Sequence, residues 1–251
     1  MESKTINIAQ KILWVVTARA GSKSIPDKNI KQLGGIPLLA YRIQSVLTFA
    51  DREDVLISTD SKQYAEIAES FGATVPFIRP TELATDTAKS ADVVLHAMNW
   101  AESSGRRYDA VGLLEPTSPF VNYTQLIEAV DRLFAEKDAC SIVAVRESRP
   151  STYYIQPEDK YLSIVARNIV SGGILRRQDL KREITPSGGF YIAKWSAFKR
   201  DKSFYTERTL SFLLPDINGL EIDEPLDWVW AEFLIEKGMI NATDLFRANM
   251  K

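Results

Sequence analysis

The sequence predicts an α/β fold with a mostly parallel sheet that is covered by helices on both faces. Two observations carry this prediction. Short runs rich in valine, isoleucine and leucine alternate along the chain with longer stretches of helical spacing. The short runs also lack the strict alternation of a strand with one face in water. Alternation of strands and helices is typical of parallel strands joined by crossover helices.

Five apolar runs in the first 150 residues are predicted to be strands, because each is short, rich in branched or leucine side chains and not strictly alternating. They are Ile12–Val16, Val55–Ser58, Val75–Ile78, Val111–Leu114 and Ser141–Val145.

Four intervening stretches have the spacing of amphipathic helices. The first begins after Pro37, a residue suited to a helix start, and the second ends at Gly72. The other two begin at a polar residue and carry apolar residues three and four apart. The helical stretches are residues 37–47, Ser61–Phe71, Lys89–Trp100 and Asn122–Phe134.

The pattern changes between residues 146 and 187. This segment contains short extended pieces, paired tyrosines and two adjacent glycines, and no long helix is evident, so it is predicted to be a mainly β excursion. Excursions with exposed aromatic residues often pack on another chain. The α/β pattern then resumes with strands at Gly189–Ala193 and Thr209–Leu214 and a helix at Leu226–Glu236.

Composition limits the possible functions. The 251 residues include 31 basic and 33 acidic ones, for a net charge of −2, which removes a bulk electrostatic case for nucleic acid or an anionic membrane. No stretch approaches the roughly 18 apolar residues of a membrane span, and the first ten residues are too polar for a secretory signal. A cytoplasmic protein is therefore expected. Cys140, the single cysteine, excludes an intrachain disulfide and a thiolate zinc cluster.

The loop after the first strand is the first candidate site. It carries Arg19, Gly21, Ser22, Lys28 and Asn29, which together offer backbone N–H groups, a hydroxyl donor and positive charge to a polyanion such as a triphosphate. A solvated surface loop explains the same residues equally well. No G-x-x-x-x-G-K-[ST] or G-x-G-x-x-G motif follows the first strand, which disfavours a P-loop NTPase and a dinucleotide oxidoreductase.

A pair of acids near residue 222 is the second candidate site. Glu221 and Asp223 stand two apart in an extended segment, so their side chains point the same way and could hold Mg²⁺. Asp223 also lies close before Pro225, where a helix is expected to begin. Residue types alone leave both interpretations open.

Five blocks together resemble the acylneuraminate cytidylyltransferase, or CMP-sialic acid synthetase, family. They occur in the family's order and span nearly the whole chain. The blocks are A-R-A-G-S-K-S-I-P-D-K-N (18–29), I-S-T-D (57–60), R-P-T-E-L-A-T-D-T-A-K-S (79–90), L-L-E-P-T-S-P (113–119) and E-I-D-E-P-L-D (221–227). The resemblance implies one cytidylyltransferase domain over residues 1–251, a three-layer fold like that of nucleotide-diphospho-sugar transferases, and a dimerisation and sugar-binding role for the excursion at 146–187.

The resemblance implies a role for each matching residue. Lys28 matches a lysine near the triphosphate of CTP, and Arg19, Lys28 and Asp223 are the implied catalytic residues. The implied nucleotide-binding residues are Ala18, Arg19, Gly21, Ser22, Lys28, Asn29, Arg79, Asp86 and Ser90. Spacing alone favours an ordinary strand exit followed by a helix cap at Asp86 or Thr87.

The resemblance also implies a sugar subsite and a metal site. The sugar-binding positions are Glu115, Thr117, Ser118, Arg177 and Ser187, and the ligands of Mg²⁺ are Glu221 and Asp223. Three of these residues depart from the family pattern, which usually has glutamine at 115, asparagine at 187 and aspartate at 221. Glu115 could accept a sugar hydroxyl, repel a substrate carboxylate or pair with a lysine.

The reaction implied is attack by the anomeric hydroxyl of a nine-carbon keto sugar acid, a nonulosonic acid, on the α-phosphorus of CTP, with release of pyrophosphate. Glu115 and Ser187, together with Thr152 where some sialate enzymes carry a lysine, favour pseudaminate or legionaminate over N-acetylneuraminate. A homodimer serving lipopolysaccharide or capsule synthesis is expected. Two alternatives remain: a synthetase for the eight-carbon 3-deoxy-manno-octulosonate, which the L-L-E-P-T-S-P block disfavours, and a catalytically silent nucleotide-binding relative, which Glu221 favours.

Overall fold

A computed structural model describes residues 9–148, 155–172 and 181–245 of the chain. Six strands form the main sheet in the order β4-β1-β5-β7-β6-β8, and β7 alone runs antiparallel to its neighbours. A separate pair, β2 and β3, forms a small hairpin. The strands are β1 (Ile12–Thr17), β2 (Gln32–Leu33), β3 (Ile36–Pro37), β4 (Val55–Ser58), β5 (Ala110–Leu114), β6 (Ser141–Glu147), β7 (Ile184–Lys194) and β8 (Thr209–Leu213). The predicted mostly parallel sheet is therefore confirmed.

Helices cover both faces of the sheet, which confirms the three-layer architecture. Helices α1, α2 and α4 pack on one face, α3 and α6 on the other, and α7 and α8 form a third apolar cluster against the start of α1. The helices are α1 (Leu38–Leu47), α2 (Lys62–Ser70), α3 (Ser90–Ser103), α4 (Tyr123–Ala135), α5 (Ser163–Gly172), α6 (Trp195–Asp201), α7 (Pro225–Glu236) and α8 (Ala242–Leu245). Short 3-10 turns occupy Arg52–Asp54 and Thr81–Leu83.

Strand β1 lies inside the sheet, between β4 and β5, and is buried on both faces. Trp14 points to the face covered by α1, while Leu13 and Val15 point to the face covered by α3. Gly112 on β5 faces Trp14, and a Cβ atom at Gly112 would lie 2.4 Å from Cε3 of that indole. The apolar run at the first strand is thus explained by burial on two sides.

The predicted strand at Val75–Ile78 is wrong. The chain makes only an isolated bridge with β4, between Thr74 and Leu56, before leaving the sheet. Pro76 has no N–H to donate to a ladder, and Ile78 is exposed. Apolar composition alone therefore overestimated sheet formation here.

The prediction of a mainly β excursion is wrong for its described part. Residues 163–172 form helix α5, whose first N–H groups at Ile164 and Val165 donate to Oε1 of Gln156 at 3.1 and 3.2 Å. The paired tyrosines and adjacent glycines suggested extended structure, but helical spacing and the side chain of Gln156, which accepts the first N–H groups, favour a helix here. The two ends of the excursion are β, since Glu147 of β6 pairs with Ile184 of β7.

None of the described helices is long and apolar enough to cross a bilayer.

Candidate active site

A pocket of about 320 Å³ lies at the carboxyl ends of β1 and β5. Open parallel sheets bind ligands at this edge. The lining combines cations, hydroxyls and three carboxylates. Its residues are Thr17, Arg19, Ser22, Lys28, Asn29, Arg79, Leu83, Thr85, Asp86, Ala88, Ser90, Val93, Glu115, Pro116, Thr117 and Asp223.

The loop after β1 is held against the end of β4 by two backbone donors. Ala18 N–H donates to the carbonyl of Ser58 at 3.0 Å, and Ala20 N–H donates to Oδ1 of Asp60 at 2.8 Å. Gly21 then takes a φ of +76°, a conformation that glycine adopts without strain. The amide of Asn29 donates to the carbonyl of Arg19 at 3.0 Å and so ties the two ends of the loop together.

Lys28 connects this loop to the late acidic segment. Its side chain is buried, and Nζ donates to the carbonyl of Ile222 at 2.7 Å. The same Nζ lies 3.4 Å from Oδ1 of Asp223. A third segment joins here, because Ile222 N–H donates to the carbonyl of Thr117 at 2.8 Å. Residues from three distant blocks are thereby brought to one edge of the sheet.

Arg79 forms a second buried cation in the pocket wall. Its Nε donates to Oγ of Ser58 at 3.0 Å, and its Nη2 donates to the carbonyl of the same serine. Burial lowers the pKa of the guanidinium to about 10, so the group remains charged at neutral pH. Arg79 can therefore attract an anion or donate to a base carbonyl.

Arg19 and Lys23 share one carboxylate across the pocket mouth. Nη2 of Arg19 and Nζ of Lys23 each lie 2.6 Å from an oxygen of Asp86. Hydrogen bonds from Lys23 and then Arg19 hold the pKa of Asp86 below its usual range. The contact joins the first loop to the segment before α3.

Three oxygens converge around Gly188 on β7. A Cβ atom at Gly188 would lie 2.8 Å from Oε2 of Glu115, 2.8 Å from Oε1 of Glu221 and 3.0 Å from Oγ of Ser118. Gly188 N–H donates to Oε1 of Glu221. Burial raises the pKa of Glu115 to about 7, and the negative charges of Glu221 and Asp223 act in the same direction.

The acids at this edge are compatible with a divalent cation. Glu115, Glu221 and Asp223 place negative charge close together, and the buried Oγ of Ser118 has no hydrogen-bond partner. Within the described ranges, no three His, Cys, Asp or Glu side chains converge closely enough to hold an ion unaided. A cation at this edge would therefore need further oxygen ligands from water or from a bound molecule.

Ten of the predicted site residues line the pocket together. They are Arg19, Ser22, Lys28, Asn29, Arg79, Asp86, Ser90, Glu115, Thr117 and Asp223. Ala18, Gly21, Ser118, Ser187 and Glu221 are sequence neighbours of residues in or beside the wall, and Ser187 is buried with Oγ accepting from Gly189 N–H at 3.3 Å. Arg177 and Thr152 fall outside the described residues.

Sequence reasoning missed several contributors. Asp60 ends the I-S-T-D block and was given no role, although a polar residue directly after a strand was a signal for it. Gly188 and Arg146, whose Nη2 lies 4.0 Å from Oε2 of Glu221, gave no signal, because both come from the antiparallel part of the sheet.

A larger cavity of about 640 Å³ lies beside Arg146 and suits a triphosphate poorly. Among the residues that the structure describes, its charged lining consists of one cation, Arg146, and two acids, Glu147 and Asp216. The smaller pocket, with its cations and loop donors, is the better site for a polyanion.

An open sheet whose parallel strands end in a cationic pocket, opposite a segment of acids, is the architecture of a nucleotidyltransferase. The chain belongs to the cytidylyltransferase family, because the sequence model of that family matches residues 13–211. This membership confirms the resemblance found in the five sequence blocks.

Relatives of this chain carry three different sugar acids in their names. The N-acylneuraminate cytidylyltransferase of Escherichia coli is 35% identical over 239 residues, covering 94% of this chain and 55% of that protein. The CMP-N,N'-diacetyllegionaminic acid synthase of Legionella pneumophila is 35% identical over 237 residues, covering 90% of this chain and 97% of that protein. The pseudaminic acid cytidylyltransferase of Campylobacter jejuni is 29% identical over 226 residues, covering 89% of this chain and 96% of that protein.

Solved structures agree on the fold. The structure of a CMP:2-keto-3-deoxy-manno-octonic acid synthetase in complex with CTP has a TM-score of 0.63 to this chain at 14% identity, covering 91% of this chain and 99% of that one. A cytidylyltransferase from Leptospira borgpetersenii has a TM-score of 0.58 at 16% identity, covering 94% and 92%.

Proposed function

We propose that this protein transfers CMP from CTP to the anomeric hydroxyl of a nine-carbon keto sugar acid and releases pyrophosphate. The observation that carries the proposal is the meeting of the β1 loop with the late acids, through Lys28 at Ile222 and Asp223. The cytidylyltransferase family and the nonulosonic acids named in the relatives support the same reaction.

The nucleotide lies in the pocket of about 320 Å³, with its phosphates toward the β1 loop. Arg19 and Lys28 offset the charge that the triphosphate brings, and loop donors such as Ser22 and Asn29 orient it. Arg79, Asp86 and Ser90, which also line this pocket, bind the cytosine and ribose. Phosphoryl chemistry of this kind asks a protein chiefly for positioning and charge neutralisation, so no dedicated side-chain base is required.

The late acids bind a divalent cation, and Asp223 faces the nucleotide pocket directly. When bound, Mg²⁺ neutralises the triphosphate and lowers the pKa of a hydroxyl that it touches.

The sugar lies beyond the α-phosphate, against Glu115, Thr117, Ser118 and Ser187, and Arg177 supplies a cation for its carboxylate. Glu115, Ser118 and the segment after Ser187 adjoin one another around Gly188, which supports this placement. The carboxylate at position 115 and the small hydroxyl at 187 favour pseudaminate or legionaminate over N-acetylneuraminate. The product is a donor for lipopolysaccharide or capsule assembly, and the enzyme works in the cytoplasm, where CTP is available.

Pyrophosphate release from CTP tests this function. The purified full-length chain is assayed with N-acetylneuraminate, legionaminate, pseudaminate and 3-deoxy-manno-octulosonate, each with Mg²⁺ and with excess chelator. We expect release with a nonulosonate and its loss in chelator. Release with the eight-carbon acid alone would identify the alternative synthetase, and CTP binding without release from any sugar would identify a silent relative.

The functional unit is proposed to be a homodimer formed through the excursion. Apolar side chains on and before α5 are exposed, with Tyr161 and Leu162 each 67% exposed and Val170 85% exposed. A patch of this kind marks an interaction surface.

A further inference from the structure

We infer that Arg42, a buried residue of α1, is a positioning residue for the sugar subsite, because it holds the loop after β5 and the middle of β7 at a fixed separation. This inference rests on the proposed function, which places Ser118 and Ser187 in that subsite. The side chain of Arg42 lines neither the nucleotide pocket nor the larger cavity, so it would act through the two segments that it joins.

Arg42 is fully buried and reaches two segments that are distant from each other in the sequence. Its Nη1 donates to the carbonyl of Val121 at 2.9 Å, and its Nη2 donates to the carbonyl of Gly189, also at 2.9 Å. Val121 follows Ser118 in the loop after β5, and Gly189 follows Ser187 in β7. One planar guanidinium therefore sets the distance between the two halves of the sugar subsite.

Regular strand pairing is interrupted at the point where Arg42 binds β7. The pairing of β7 with β5 ends at Tyr191, and the register of β7 with β6 shifts between Val143 and Val145. Gly189 lies beyond the last β5 pair and opposite the shift in β6. Irregularities of this kind often lie beside functional sites, where they redirect side chains. The hydrogen bond from Arg42 thus anchors β7 where the ladder is weakest.

The anchored segments carry the hydroxyl groups of the subsite in close contact. The N–H of Gly189 donates to Oγ of Ser187 at 3.3 Å, so the same residue that accepts from the guanidinium also contacts this hydroxyl. A Cβ atom at Gly188 would lie 3.0 Å from Oγ of Ser118, and one at Gly189 would lie 3.1 Å from Cγ2 of Val121. Loss of the guanidinium contact is therefore expected to move Ser187 relative to Ser118.

Stability alone explains a buried arginine here poorly. Burial lowers the pKa of the Arg42 guanidinium to about 9, so the group stays charged at neutral pH, and no nearby acid among the described residues counters this effect. Its Nε also has no acceptor among them. A well-packed apolar side chain often stabilises a core at least as well as a buried charge. Holding two carbonyls in place is the better explanation for an arginine at this position.

Steady-state kinetics and CTP binding of the full chain test the inference. The sugar is the nonulosonate with which the unaltered protein releases pyrophosphate. Arg42→Met removes the donors, and Arg42→Lys keeps the charge but lacks the guanidinium fork. Val46→Ala, buried on the same helix, is the matched control, because it opens a cavity in the core and removes no hydrogen bond to either carbonyl.

We expect Arg42→Met to raise the sugar KM about tenfold or more and Arg42→Lys to raise it by less, while the dissociation constant for CTP stays within about twofold in both. Val46→Ala should lower the melting temperature and leave the sugar KM unchanged. An unchanged sugar KM in Arg42→Met, or an equal rise in Val46→Ala, overturns the inference. If Arg42→Met does not melt cooperatively, Arg42→Lys decides: a raised sugar KM supports the inference, and an unchanged one overturns it.

Hydrogen exchange without substrates separates this inference from the proposed function. In the folded Arg42 variants we expect faster exchange in peptides that cover residues 115–122 and 184–194, and unchanged exchange in peptides that cover the loop at 18–29. No change, or an equal change throughout the chain, would overturn the positioning role. Absence of pyrophosphate release by the unaltered protein would instead refute the proposed function.

Discussion

The ammonium of Lys28 donates to the main-chain carbonyl of Ile222 at 2.7 Å, although 194 positions separate the two residues. This buried contact joins the first loop of the protein to its late acidic segment. Because Nζ is also 3.4 Å from Asp223, the ammonium orients both the loop and the acid.

Replacement of Lys28 by Met is expected to raise the dissociation constant for CTP at least about tenfold, which corresponds to the roughly 1.5–3 kcal/mol of a charge-assisted hydrogen bond. Isothermal titration calorimetry measures the dissociation constant for CTP. Lys62→Met, at an exposed position of α2, is the control and leaves CTP affinity unchanged. Equal affinity of the two variants would contradict a role for Lys28 in the pocket.

Replacement of Asp60 by Ala is expected to loosen the β1 loop, because the N–H of Ala20 loses its acceptor at 2.8 Å. The unfolding free energy should fall by about 1–3 kcal/mol, and CTP should bind more weakly. Urea unfolding and calorimetry measure the two effects. Asp131→Ala, exposed on α4, serves as the comparison. If CTP affinity is retained, the loop does not need this anchor.

Replacement of Gly112 by Ala is expected to destabilise the fold. The new methyl group would lie 2.4 Å from Cε3 of Trp14, and overpacking in a buried sheet costs about 1–3 kcal/mol. Gly219→Ala is the matched control, since its nearest neighbour would be 3.5 Å away, an ordinary contact. Chemical unfolding of both variants should separate them, and similar stabilities would show that Trp14 can move aside freely.

Asp54 provides a test of pH dependence outside the active site. Burial raises its pKa, even though Tyr108 donates to Oδ1 at 2.9 Å and Lys11 lies 3.6 Å away; the nearby Asp51 and Glu53 raise it further. A raised carboxyl pKa favours the folded state most below the unfolded-state value of about 3.9. That advantage is lost as the pH rises through the folded-state pKa.

As the pH rises from about 3.9, the unfolding free energy of the unaltered protein should therefore fall relative to that of Asp54→Asn. Denaturant unfolding of both proteins between acidic and neutral pH measures this difference. A difference that does not change with pH would show that burial leaves the aspartate unperturbed.

Replacement of Val170 by Asp is expected to dissociate the proposed dimer, because a charge would enter an apolar contact at a residue that is 85% exposed in the single chain. Analytical ultracentrifugation should show a dimer for the unaltered protein and a monomer for the variant. The control is Glu128→Asp, at a residue that is also exposed but lies on α4. A monomeric unaltered protein would refute the dimer.

The sequence predicted the parts of the molecule that depend on local pattern. Strand β1 and helix α4 were found within one or two residues of their bounds, because burial on two sides and the capping box at Asn122 leave local signatures. The position of the β1 loop at the pocket was predictable for the same reason, since this loop directly follows a recognisable strand.

The remaining features depend on long-range pairing and leave no local signature. The position of β7 between β5 and β6 brings Gly188 to Glu115 and Glu221, yet the spacing of these residues along the chain carries no sign of it. Helix α5 was missed because it is short and lies between paired tyrosines and adjacent glycines, which suggested extended structure.

Strand β7 lies between β5 and β6, two strands that precede it in the chain, and this order has a consequence for synthesis of the protein on the ribosome. Strand β6 emerges about 45 residues before β7, and without β7 it has no partner that joins it to β5. Half of the sheet must wait for later residues, and the acids at 221 and 223 follow later still. A nascent chain is therefore unable to assemble the sheet edge that carries Lys28, Glu115 and Asp223 until almost all of the polypeptide has been made.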